Sequence, residues 1–75
     1  MLNWRLSPYF TGMEANGATG IAYACMEWGA SGTMAGAIIV SADREHVGRF
    51  PLTQEGRVDA QAACERWEME KARVW

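Results

Sequence analysis

The residues best equipped for chemistry are few: one histidine, two cysteines and nine carboxylates in 75 residues. Asp43, Glu45 and His46 fall together in the segment Ala42–His46. An acid beside a histidine can orient it as a base. No serine or cysteine nucleophile stands near this group by spacing, so a solvated turn between two strands is the better reading. Cys25 and His46 would make a thiol–imidazole pair only if the fold brought them together. Cys25 and Cys64 lack CxxC spacing, and a single histidine cannot complete a zinc set with them. Two buried, reduced thiols are expected instead, which points to the cytoplasm. The runs Gly17–Gly20 and Gly29–Gly32 resemble fragments of phosphate loops. Neither carries the Lys-Ser/Thr or GxGxxG pattern that would hold a phosphate, and both read as turns. No acid, base and nucleophile set is visible, so an enzyme is not expected, and neither is a cofactor or a metal.

Composition narrows the class further. The net charge is −2, and the seven basic residues are scattered singly. Nucleic-acid binders need clustered Lys and Arg to meet phosphates, so that partner is disfavoured. The uncharged run from Trp28 to Ala42 is shorter than the roughly 20 residues a membrane helix requires. The segment Met1–Phe10 has no apolar core of a signal peptide. Residues 1–75 are expected to form one domain with a small core. Four tryptophans are many for such a chain, and an exposed one would be an interface anchor.

The elements that must position these residues follow from periodicity. Leu2, Trp4 and Leu6 alternate with Asn3 and Arg5 as in a half-buried strand, which Pro8 ends. Residues 9–20 read as a loop, with Asn16-Gly17 as a turn signal. Ile21–Trp28 is a second strand, with Tyr23 and Cys25 on one face and Met26 and Trp28 on the other. Thr33–Ser41 is a third, β-branched at Ile38, Ile39 and Val40. Val47–Phe50 is a fourth, ended by Pro51. A C-terminal helix follows, capped by Thr53 or Asp59. Ala60, Ala63, Cys64, Trp67 and Val74 share its inner face. Glu68–Lys71 and Glu70–Arg73 read as surface pairs on a solvated face; the functional alternative is that Glu55, Gln61, Glu65 and Glu68 form an acidic stripe that docks on a basic surface. The expected fold is α+β: a small antiparallel sheet of three to four strands with one helix packed on one face, in the order β-β-β-β-α.

One helix covers only one face of a sheet, yet strands two and three carry apolar residues on both. Either the loop from Ser7 to Gly20 folds over the open face, or another protein chain does. The contacts expected for a partner are Tyr9 and Phe10 in the loop, Tyr23, Met26 and Trp28 on the sheet, and Glu65 and Glu68 on the acidic helix edge.

Trp4, Ser7-Pro8-Tyr9, Gly48, Phe50 and the run Ala60–Cys64 together resemble a diffuse group of short proteins from phages and prophages. The glycine-rich stretch Gly29–Gly36 departs from that group. The resemblance implies a small, cofactor-free protein of a mobile element that acts by binding a host complex. Anti-CRISPR proteins are the best-known class of that kind, by analogy of size, shape and setting. The function expected is therefore a non-enzymatic inhibitor that occludes a host defence complex. The alternatives are a homodimeric accessory module and, less favoured, a nucleic-acid-binding domain.

Overall fold

The computed structural model describes residues 2–18, 20–29 and 36–74, with side chains as far as Lys71. Along them run β1 (Arg5–Leu6), β2 (Gly12–Asn16), β3 (Ala22–Trp28), β4 (Ala37–Ala42), β5 (Glu45–Pro51) and α1 (Gln54–Val74). The strands make one antiparallel sheet in chain order, and α1 packs across β3, β4 and β5. The α+β architecture is as expected, with one strand more than three to four. The expected Gly29–Gly32 turn and the onset of a strand at Thr33 fall mostly outside the described residues.

The extra strand is β2, which lies inside the segment read as a loop. Its Met13 and Ala15 pair with Cys25 and Tyr23, so they take the helix side, and Ala15 is fully buried. Gly12 opens the strand at φ 140°, where a side chain would collide with the Cys25 carbonyl oxygen. A glycine that reads as a loop former thus lets β2 approach β3 closely. The first strand is shorter than its alternation suggests. Leu2 and Trp4 pack on the core, but Leu6 is 77% exposed because β1 lies beyond the cover of α1.

Beneath the helix the core is built from alternate residues of β3 and β4: Tyr23 and Cys25, then Ile38, Val40 and Ala42. Ala60 and Cys64 of α1 are fully buried against them, and Trp67 packs alongside. Small side chains on that helix face let it sit close to the sheet. Thr53 is the N-cap: its Oγ1 accepts the Gly56 N–H at 2.9 Å.

The β4–β5 turn is tighter than the charged segment Ala42–His46 suggests. Only Asp43 and Arg44 lie in it, both with positive φ (49° and 70°), the pattern of a two-residue turn matched to strand twist. Asp43 Oδ1 accepts the Ala22 N–H at 2.9 Å, and its own N–H donates to the Ala22 carbonyl at 2.8 Å, so the turn is tied to the start of β3. Arg44 is exposed and held in a left-handed conformation that costs a residue with a Cβ energy. Arg44→Gly is expected to stabilise the fold by roughly 0.5–1 kcal/mol, a rise of a few degrees in Tm by thermal denaturation.

A bulge then reorients β5. Val40 pairs with Gly48 but Ser41 with His46, so Val47 is the additional residue. Val47 joins the helix-side core, while His46 lies opposite Ser41 on the other face.

Candidate protein-docking face

Alternation along the strands decides which residues the helix leaves uncovered. With Tyr23 and Cys25 beneath α1, Ala22, Ala24, Met26 and Trp28 of β3 point the other way, as do Ile39 and Ser41 of β4. Glu14 and Arg49 flank this strip from the neighbouring strands. Arg5 Nη2 donates to Glu14 Oε2 at 2.7 Å. The strip is thus apolar along its middle and charged at both margins.

One end of it is built up. Phe10, Thr11, Met26, Glu27, Trp28 and Gly29 line an open depression of about 250 Å³. Trp28 is 60% exposed and Tyr9, next to Phe10, is 88% exposed. The β1–β2 connection is held by the Ser7 N–H on the Gly12 carbonyl at 3.1 Å and by the Tyr9 N–H on Ser7 Oγ at 3.1 Å. The Glu27 N–H donates to the Thr11 carbonyl at 2.8 Å, which seats the connection beside the end of β3. Of the segment expected to fold over the open face, Phe10 and Thr11 line the depression with Met26 and Trp28. Gly12–Asn16 extends the sheet as β2.

The expected contact residues therefore divide. Phe10, Met26 and Trp28 line one depression, and Tyr9 is exposed next to Phe10 in the chain. Tyr23 does not join them: it is 1% exposed and lies under the helix, because it alternates with Met26 and Trp28 along the same strand. Glu65 and Glu68 are also on the helix side and are turned inward. Both Glu65 carboxylate oxygens accept the Leu2 N–H at 3.1 Å. Glu68 accepts the Tyr23 hydroxyl at 2.7 Å and the Ala18 N–H at 2.6 Å, and Gly17 lies close against its carboxylate. On the same side Arg57 grips Glu27 with two nitrogens, at 3.1 and 3.2 Å. The glutamates act as latches between helix and sheet. A buried tyrosine needs a partner for its hydroxyl, and that need was the signal that could have paired Glu68 with Tyr23.

Burial, then the hydrogen bond to Glu68, raises the Tyr23 pKa above its usual 10.0. Folded Tyr23 holds its proton more tightly than an unfolded tyrosine at about 10. Its contribution to stability is complete below that pH and is lost as pH rises above it. Urea unfolding is expected to show lower stability at about pH 11 than at about pH 9. Tyr23→Phe should flatten that slope.

The groups singled out for chemistry are dispersed. His46 lies on the open face and Cys25 beneath the helix, on opposite sides of the sheet. Asp43 is engaged by the Ala22 N–H. Gly17 and Gly20 form the β2–β3 turn, with the Gly17 N–H on the Ile21 carbonyl at 2.8 Å. Among the described residues, no cluster of three His, Cys, Asp or Glu could hold a metal, and no helix is long and apolar enough to cross a membrane. Compared with protein families, with characterised proteins and with solved structures, the chain matches none.

Proposed function

We propose that the chain is a non-enzymatic interaction protein that docks another protein on the sheet face opposite the helix. In the first instance it is a phage-type inhibitor that occludes a host defence complex in the bacterial cytoplasm, of the anti-CRISPR kind. One observation carries the docking reading: Met26, Trp28 and Ile39 form an apolar strip on that face, and Phe10 lines the depression at its end with Met26 and Trp28. Exposed apolar patches with aromatic anchors are the usual mark of a protein interface. The phage setting rests on the resemblance carried by Trp4, Ser7-Pro8-Tyr9 and Ala60–Cys64. The test is expression of the chain in a bacterium armed with a CRISPR system against a phage. Protection of the phage, with the effector co-purifying, supports the reading. Unchanged immunity, with no defence component recovered, removes it. A homodimer through the same strip is the alternative, and sedimentation as a strict monomer at high concentration excludes it.

A further inference from the structure

The sheet separates the charges of the chain. Strand register sets two rows straight across the open face: Gly12, Met26, Ile39 and Arg49, and beside it Arg5, Glu14, Ala24, Ser41 and His46. Of the nine Asp and Glu residues, Glu14 is the one in these rows, and Arg5 neutralises it at 2.7 Å. Glu55, Asp59, Glu65, Glu68 and Glu70 belong to α1, across the sheet. Glu45 pairs with the buried Ala42 and so shares the helix side, where Arg57 also grips Glu27. Asp43 is tied to the Ala22 N–H in the β4–β5 turn. Arg49 and His46 are exposed and end the two rows on β5, and Arg49 has no carboxylate partner among the described residues. A chain of net charge −2 thus presents a face that is apolar along its middle and cationic along its β5 margin.

We propose that the partner docked on this face is an acidic protein surface: an apolar ridge seated along Met26, Trp28 and Ile39, with a carboxylate beside it that meets Arg49. The inference rests on the docking reading above and adds the partner's chemistry. Arg49 stands two strand spacings from Met26, with Ile39 between them, so the partner's carboxylate lies about 10 Å from its apolar anchor. Complementary charge of this kind steers the encounter and fixes the register of the two surfaces. A basic partner would set its own cations against Arg49, which is costly. Single-stranded nucleic acid also stacks on exposed aromatics. Two arginines, one of them already paired, and one histidine are too few to follow its phosphates.

The probes are a synthetic helical peptide with a leucine stripe bordered by glutamates, its lysine counterpart and a thymidine oligonucleotide. Each is titrated into the whole chain and followed by backbone amide shifts. The glutamate peptide is expected to shift Met26, Trp28 and Arg49, to bind at least about tenfold tighter than the lysine peptide, and to weaken with added salt. Arg49→Glu should reverse that preference. Arg66→Glu makes the same change of charge at an exposed position on the helix and should leave it intact. No binding, no preference, a preference for the lysine peptide or the oligonucleotide, or shifts confined to the helix side overturns the proposal. Phage plating on a CRISPR-armed host separates this inference from docking itself. If Trp28→Asp loses protection and Arg49→Glu keeps it, the face docks a partner that is not acidic. Loss of protection by Arg49→Glu at unchanged Tm supports the acidic partner. No protection by the natural chain removes the phage reading, and the peptide titration then decides the chemistry of the face.

Discussion

Gly56→Ala is expected to destabilise the fold by about 3 kcal/mol, although alanine is the better helix former by about 1 kcal/mol. Gly56 is buried in the first turn of α1, where an added methyl would fall well inside contact distance of the Pro51 carbonyl oxygen. That oxygen also accepts the Thr53 N–H at 2.9 Å, and Thr53 caps the helix through the Gly56 N–H. Backbone, cap and strand end are thus locked together, and no flexible side chain can give way. A domain of this size has about 5 kcal/mol in total, so a loss of that order leaves a substantial unfolded fraction at modest urea. Ala62→Gly, at an exposed position of the same helix, supplies the contrast. It should cost about 1 kcal/mol, the propensity difference alone. Urea unfolding of both proteins checks the prediction, and a stabilised Gly56→Ala protein would refute the close approach of α1 to β5.

Glu68→Ala is expected to cost about 2–3 kcal/mol, far more than an ordinary surface glutamate. Its carboxylate accepts from the Tyr23 hydroxyl and the Ala18 amide, joining α1 to β3 and to the β2–β3 turn at one point. Removal leaves the buried hydroxyl without its partner, which is the expensive outcome. In Tyr23→Phe the donor goes as well, and the loss should be nearer 1 kcal/mol. In the Tyr23→Phe background, Glu68→Ala should then cost clearly less than in the natural chain, a coupling that a double-mutant cycle reads directly. Additive losses would place Glu68 outside the network.

Much of the fold was legible because it rests on local pattern. The β-branched run Ile38–Val40 marked a central strand. Pro51 and Thr53 marked a strand end and a cap. Ala60, Cys64 and Trp67 marked the inner face of the helix, where they are found. The strand β2 was obscured by its own glycines: Gly12, Gly17 and Gly20 signal turns, yet Gly12 serves a close strand contact. The bulge at Val47 was invisible because it depends on pairing with β4, which no single-strand periodicity contains. The residues expected as contacts divided for a related reason. Met26 and Trp28 were readable as one face, but which face lay under α1 depended on long-range packing. Glu65 and Glu68 have the spacing of a solvated stripe, and only the sheet beneath converts them into latches.

Trp28 offers the sharpest probe of the docking face, since it is exposed and contributes nothing to the buried core. Replacing such an aromatic anchor in an interface costs about 2–4 kcal/mol, or roughly 30- to 1000-fold in affinity. The most direct measurement is phage plating on a CRISPR-armed host that expresses the natural chain, Trp28→Asp or Met26→Asp, with Tm recorded for each purified protein. Docking through the open face predicts that the natural chain restores plating, while both variants fail despite melting within a few degrees of it. No protection by the natural chain, or protection equally strong from both variants, would contradict the account.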